Sequence, residues 1–361
     1  MAGFFIVEDE DERRLGEALE LMLGQTDMPL LIQDKMLDAD GNFVYAPGPM
    51  EEEMGYQGDV IVANLTPNPY LGVETRIYRF RILNGSNARN LRLAFSRAGE
   101  DELLPYNVIV TDGSLLERQR QATEVFLSPA ERVDVLVDLT GSEVGEEVVL
   151  RSLPFDPMHN EHEMGGDMGH HHHMGPARLP DGSGFYVLRL VVSERVDYDR
   201  RVPETLSESP RQDFAGATTR PITLSMATER ETNRWLINGL THERDEYPIE
   251  AQRGAKEVWE IRNDERSMPH PMHLHGFRFL VLGRTGSPQQ VSRVAVDESG
   301  RTVSDLAYKD TVLVWPGETV KCAVDFSHDF EGEQLYMFHC HILEHENTGM
   351  MLNVKVVSGE A

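Results

Sequence analysis

The stretch HCHILEHENTGMM, residues 339 to 351, constrains this chain more tightly than any other. In an extended strand alternate side chains face opposite sides, so His339 and His341 point one way and Cys340 the other. One short strand therefore serves two sites. Five-residue steps lead from Cys340 to His345 and on to Met350. A loop of that spacing can bring a thiolate, an imidazole and a thioether around one ion, and this donor set with a weak axial methionine suits a blue copper centre. The second imidazole lies in HPMHLHGF, residues 270 to 277. There His273 and His275 share a strand face, while His270, across Pro271, can turn to the opposite side. Any fold of this chain has to lay these two segments side by side. His270, Cys340, His345 and Met350 then form one mononuclear group, and His273, His275, His339 and His341 converge as a second, all-imidazole group.

The rest of the chain is built to support such a placement. From about residue 28 it runs as short β-rich segments split by turn residues: PLLIQDKML, DVIVANL, RIYRFRILNGS, YNVIVTDG, RVDVLVDLTG, EEVVLRSL and FYVLRLVV. A second series follows from about Arg220: PITLSM, RWLING, EVWEIRND, GFRFLVLGR, DTVLVWPGE, VKCAVDF and LNVKVV. Short strands at this spacing predict β-sandwiches, and two series predict two in tandem. A length of 361 residues suits two such domains. The expected organisation is a leading segment over 1–25, a first sandwich over 26–202, a linker over 203–216 and a second sandwich over 217–361. In the leading segment, Phe4 to Val7 reads as one buried strand, and Leu15, Leu19, Met22 and Leu23 recur at helical spacing, predicting a helix to about Gly24. The His- and Met-rich stretch MHNEHEMGGDMGHHHHMG, residues 158 to 175, has no apolar periodicity and reads as a surface loop inserted in the first sandwich.

Charge excludes one class of partner. With 61 acidic against 34 basic side chains the net charge is −27, which repels phosphate backbones and anionic lipid, so nucleic acid is not expected as a partner. Lysine is rare and arginine supplies most of the basic residues, a bias of GC-rich genomes or salty habitats. No stretch reaches the roughly 20 consecutive apolar residues of a membrane span, and no basic region precedes an apolar run at the N-terminus, so neither a span nor a signal peptide is read in this chain. The two cysteines, Cys322 and Cys340, could pair by count, but a disulfide would take Cys340 out of the ligand group.

The two histidine segments resemble the C-terminal copper signatures of multicopper oxidases, H-x-x-H-x-H and H-C-H-x3-H-x4-M, the family of laccases, bilirubin oxidases and bacterial cuprous oxidases. The stretch GDVIVANLTPNPYLGVETRIYRFRILNGSNARNLRLAF resembles the middle, copper-free domain of three-domain members. The resemblance implies an all-β fold of tandem cupredoxin-like Greek-key sandwiches. It implies type 1 copper on His270, Cys340, His345 and Met350, type 2 copper on His273, and type 3 coppers on His275, His339 and His341. Glu346 resembles a carboxylate that relays protons to reduced oxygen. Single electrons from a phenol, an aromatic amine or Cu(I) would enter at type 1 copper and pass from Cys340 through the backbone to His339 and His341, with O2 reduced to water. Export to the periplasm or exterior is likewise implied.

Complete members draw half of their oxygen-site imidazoles from an N-terminal cupredoxin domain with two H-x-H motifs, and no such domain is legible here. MAGFFIVEDE resembles that domain's last strand. A separate polypeptide carrying the first domain, or self-association through the strand at residues 3–8, is therefore expected. His242, His328 and the run His170 to His173 are not expected to replace the absent ligands. Two rival readings stand beside the oxidase: a blue copper electron-transfer or copper-binding protein without autonomous oxidase activity, and a copper-sequestering module built on residues 158–175. Cys340→Ser separates them, since it removes the first two functions and spares sequestration.

Overall fold

The computed structural model describes residues 2–158, 179–208, 212–227 and 235–358. The chain forms two compact units, one of Met1–Tyr45, Gln57–Phe155 and Ala177–Pro210, the other of Ala46–Tyr56, Asp156–Pro176 and Arg211–Ala361. The described parts of the expected linker, residues 203–208 and 212–216, contain neither helix nor strand. All of the His- and Met-rich stretch except Met158 lies outside the described residues.

The first unit opens with helix α1 (Glu10–Leu19) and continues through β1 (Asp27–Leu37), β2 (Phe43–Val44), β3 (Val60–Ala63), β4 (Thr66–Pro67), β5 (Tyr70–Glu74), β6 (Ile77–Asn84), β7 (Leu91–Arg97), β8 (Leu103–Leu104), β9 (Tyr106–Thr111), β10 (Ser114–Ala122), β11 (Glu124–Leu127), β12 (Arg132–Asp138), β13 (Glu147–Ser152) and β14 (Phe185–Glu194). One sheet has the order β10-β9-β12-β6-β1-β3-β4 with β2 on β1; the other is β11-β7-β13-β14-β5 with β8 on β7. The β1–β6 and β14–β5 pairs are parallel, the other pairs antiparallel. The layers meet through aromatic side chains: Phe80 of β6 lies 6.1 Å from Phe95 of β7, and Phe95 lies 5.4 Å from Tyr106 of β9. Emptying the Phe95 position would cost about 3–5 kcal/mol.

Strand β6 shows why alternation alone underdescribes this unit. Its residues IYRFRILN are all buried, the arginines included. Arg81 makes two hydrogen bonds to Asp27 at 2.8 and 2.7 Å. Arg79 bonds Asp134 of β12 and donates to Glu12 of α1 at 2.6 and 2.8 Å. Helix α1 is thus fastened by Glu12 as well as by its buried Leu15 and Leu19. It stops about five residues short of the expected Gly24. Glu20 turns left-handed at φ 51°, with its amide on the Glu17 carbonyl and that of Leu21 on the Gly16 carbonyl, and this leaves Met22 and Leu23 exposed. The expected buried strand at Phe4 to Val7 is also corrected. Residues 2–9 form no strand, and Phe5 is 94% and Val7 71% exposed. An apolar run becomes a buried strand only with a ladder to join and a layer to cover it, and this segment has neither.

The second unit contains helices α2 (Pro49–Met54), α3 (Gln289–Ser292) and α4 (Leu343–Asn347). Its strands are β15 (Thr218–Met226), β16 (Trp235–Ile237), β17 (Ile249–Gln252), β18 (Lys256–Asn263), β19 (His270–Leu274), β20 (Phe279–Thr285), β21 (Tyr308–Lys309), β22 (Thr311–Val314), β23 (Thr319–Asp325), β24 (Gln334–Cys340) and β25 (Met351–Val357). They build sheets of order β16-β15-β18-β23-β20-β21 and β17-β25-β24-β19-β22. Trp259 of β18 meets Phe338 of β24 edge-on at 5.0 Å, which ties the two layers beneath the histidine strands. The chain is all-β with short helices, as its sequence predicts.

Candidate metal centre

Strands β19 and β24 are antiparallel neighbours with Met272 opposite Cys340, His273 opposite His339 and Leu274 opposite Phe338. This register carries out what the two motifs require. Cys340 faces into the unit with His270, and the imidazoles of His273 and His339 lie together on the other face.

In the first cluster the donor atoms of His270, Cys340 and His345 all lie within 4.8 Å of one another, and all three residues are fully buried. The Sγ of Cys340 lies 3.6 Å from Nδ1 of His270 and 3.5 Å from Nδ1 of His345. The loop after Cys340 closes on itself: the amide of Cys340 donates to the Met350 carbonyl at 3.0 Å, and the amide of Met350 donates to the His345 carbonyl at 2.8 Å. Gly349, at φ 98°, gives the left-handed turn that returns the chain, and the Met350 side chain is fully buried. The amide of Ile342 points at the Cys340 sulfur from 3.5 Å.

The tautomers follow from the outer partners. The Nε2 of His345 is 2.8 Å from the main-chain oxygen of Glu53. A carbonyl only accepts, so Nε2 carries the hydrogen and Nδ1 keeps its lone pair toward Cys340. The Nε2 of His270 sits 3.0 Å from Ser267 Oγ, which serves the same purpose. Trp235 packs on both rings, with centroids 4.8 Å from His270 and 5.6 Å from His345, and its Nε1 donates to the same Glu53 oxygen at 2.7 Å.

The second cluster uses the opposite nitrogens. Nδ1 of His273 is 2.8 Å from the Asp310 carbonyl and 3.0 Å from Thr311 Oγ1, and Nδ1 of His339 is 2.9 Å from the Cys340 carbonyl. Both rings therefore keep Nε2 as the open donor. Nε2 of His275 and Nε2 of His339 are 3.0 Å apart. The His341 ring stands 5.5 Å from His339 and 5.6 Å from His273, held by its amide on the Pro271 carbonyl. The Glu346 carboxylate approaches Nδ1 of His339 to 3.6 Å, beyond hydrogen-bond range.

Burial dominates the electrostatics. It pushes His345 down to about 3 and His339 and His341 to about 4, and it lowers His270 well below its ordinary value. These four imidazoles are thus neutral at pH 7, the form that binds metal. The same burial pushes the Cys340 thiol up. A thiolate here needs a cation beside it, and lone pairs from two neutral imidazoles converge on its sulfur. The donor set fits a soft or borderline metal ion.

Most of the expected ligands are brought together. For Met350 the closed loop and the burial of the side chain are what the structure gives. His242 and His328 are in neither cluster: the His242 amide donates to the Gly349 carbonyl, and the His328 ring is tilted against Phe277 and Phe330 at 6.3 and 6.0 Å. His170 to His173 fall outside the described residues. Cys322 is a buried free thiol in β23. Sequence reasoning missed Ser267, Glu53, Trp235 and Thr311. Of these only Ser267, three residues before His270, gave a local signal.

Comparison with known proteins gives a consistent picture. Residues 217–360 match the family described as multicopper oxidase. The laccase of Bacillus subtilis (strain 168) is 31% identical, aligning with 97% of this chain and 66% of its own length. The laccase of Haloferax volcanii is 30% identical over 98% of this chain and 55% of its own. The chain therefore spans less than two thirds of these relatives. Among solved structures, the McoA multicopper oxidase from the hyperthermophile Aquifex aeolicus superimposes with a TM-score of 0.82 at 39% identity, covering 97% of this chain and 70% of that one.

Proposed function

The chain belongs to the multicopper oxidase family, and we propose that it is the electron-accepting part of a laccase-like copper oxidase. Its donors would be phenols, aromatic amines or Cu(I), and O2 would be the acceptor. His270, Cys340, His345 and Met350 hold type 1 copper in this reading, His273 holds type 2, and His275, His339 and His341 hold type 3. Bound copper supplies one-electron redox chemistry; the protein supplies geometry, dryness and protons.

The observation that carries the reading is the opposite choice of ring nitrogen in the two clusters. Main-chain carbonyls hold Nε2 of His345 but Nδ1 of His273 and His339, so each ring is preset to offer its other nitrogen. Cys340 sits between His339 and His341 in sequence, so two peptide units join the sulfur of one cluster to the imidazoles of the other. In this reading Glu346, its side chain 34% exposed beside His339, carries protons between solvent and the second cluster. The two compact units are read as cupredoxin-like domains, and imidazoles beyond the four in the second cluster would come from a further cupredoxin unit. Location outside the cytoplasm is proposed on family grounds. No helix among the described residues is long and apolar enough to cross a membrane.

A second reading, blue copper electron transfer without oxygen reduction, is favoured by the four imidazoles of the second cluster, which among the described residues have no further histidine beside them. Metal analysis after copper loading separates the two. With a further cupredoxin unit present to supply the remaining imidazoles, about four coppers per chain support the oxidase, and about one, lost in Cys340→Ser, supports electron transfer; a full copper content in Cys340→Ser would sink both.

A further inference from the structure

Helix α2 ends one residue after Glu53, so the Glu53 carbonyl is among the last four of the helix and receives no intrahelical amide. Two side-chain donors meet it instead. The Nε2–H of His345, from the neighbouring α4, reaches the oxygen at 2.8 Å, and the Nε1–H of Trp235 reaches it at 2.7 Å. Trp235, in β16, is 3% exposed; its ring stands edge-on to His270 at 70° and leans on His345 at 41°. The indole thus touches both imidazoles of the first cluster while its N–H goes to the oxygen that one of them uses.

A carbonyl oxygen has two lone pairs and can receive both donors. The two draw on the same electron density, however, so each hydrogen bond is weaker than it would be alone. The strength of the His345 bond is felt at the other end of the ring. The more fully Nε2–H is drawn to oxygen, the more basic Nδ1 becomes as a metal ligand. A more highly charged, harder ion gains more from that basicity than a softer one, so a stronger bond favours copper(II) over copper(I). At His270 the corresponding nitrogen meets the Ser267 hydroxyl, so the two imidazoles of the cluster are backed by groups of different kinds.

We propose that Trp235 is a positioning residue that sets the donor strength of His345. Its N–H shares the Glu53 oxygen, holds the imidazole below its full basicity and so tilts the cluster toward copper(I), the form that follows acceptance of an electron. The tilt rests on the copper role read for this cluster, whereas the shared hydrogen bond belongs to the protein alone.

Two changes move the shared bond in opposite directions. Trp235→Phe keeps an aromatic ring and removes the N–H; 5-fluorotryptophan installed at position 235 keeps the shape and makes the N–H a stronger donor. In the metal-free full chain labelled with 15N-histidine, the Nε2–H resonance of His345 is expected to move downfield in Trp235→Phe and upfield with the fluorinated residue. After copper loading, the ratio of copper(II) to copper(I) affinity, measured by competition with chelators of each ion, is expected to rise about threefold to tenfold in Trp235→Phe and to fall with the fluorinated residue. A side chain that only packs the rings would lower both affinities together, and an unchanged ratio overturns the proposal. So does a resonance that stays in place or moves upfield in Trp235→Phe. Should that variant fail to fold, the fluorinated protein decides by its own two signs. Failure of the unaltered protein to bind copper at Cys340 overturns the copper reading and the tilt with it, while the resonance separately upholds or refutes the shared bond.

Discussion

His273 and His339 stand directly opposite one another on β19 and β24, their ring centroids 5.3 Å apart, each with Nδ1 bound to a main-chain carbonyl. The pair belongs to the second cluster and lies on the other face of β24 from Cys340. His273→Ala is therefore expected to lower bound copper by about one ion or more and to leave the blue absorption of the Cys340 cluster intact, since ligand loss acts on its own site. Metal content and visible spectrum on the same sample check this; loss of the blue band would show that the two faces are not independent.

Ser267 is fully buried, and its hydroxyl receives Nε2 of His270. Ser267→Ala leaves that nitrogen without its hydroxyl. The expected cost is about 1–3 kcal/mol of stability and roughly 10–100-fold in copper affinity. Urea unfolding and competition with a copper chelator read the two effects. Wild-type affinity in the variant would mean that Trp235 alone orients the ring.

Acid stability turns on Arg284. Its guanidinium bonds Asp305 at 2.8 and 2.9 Å and Glu318 at 3.2 Å, all of them buried. Burial raises the Asp305 carboxyl, but the Arg284 charge and hydrogen bonds outweigh it and hold the group below its ordinary 3.8. With a folded value below the unfolded one, the stabilisation is complete above about pH 4 and is lost as the pH falls through the folded value. Arg284→Met is expected to cost about 3–5 kcal/mol at pH 7, because it leaves buried carboxylates unpaired. It is also expected to flatten the fall of stability below about pH 4. Urea midpoints from pH 7 to pH 2.5 measure both, and an unchanged acid slope would refute the assignment.

The two cysteines are expected to answer oppositely to substitution. Cys322 is buried in β23 opposite Trp259, and burial pushes its thiol up, so it is inert. Cys322→Ala is expected to keep the blue band at a cost of about 1 kcal/mol, while Cys340→Ser loses the band altogether. Parallel spectra and unfolding curves decide it.

What was legible in the sequence was whatever depends on alternation and spacing. The parity of His339, Cys340 and His341 set the two faces, and every quoted β-rich run became a strand. What escaped depends on partners distant in sequence. The apolar pattern of Phe4 to Val7 contained no information about a ladder to join. Arg79 and Arg81 are charged yet buried in β6 because Glu12, Asp27 and Asp134 meet them there, and no local residue pattern announces those partners. Helix α1 stops at Glu20 for a conformational reason, with Met22 and Leu23 still in phase. The Glu53 carbonyl was the hardest to foresee, since a main-chain oxygen has no signature in residue identity.

The two-faced strand β24 has a consequence for how this protein can change over time. Inserting or deleting a single residue beside Cys340 would exchange the inventories of its faces, sending a sulfur among the imidazoles and an imidazole into the buried pocket. Neither centre can drift in sequence length without dismantling the other. The spacing of His339, Cys340 and His341 is therefore fixed as one unit, and tolerance for insertions begins only where the chain leaves β24.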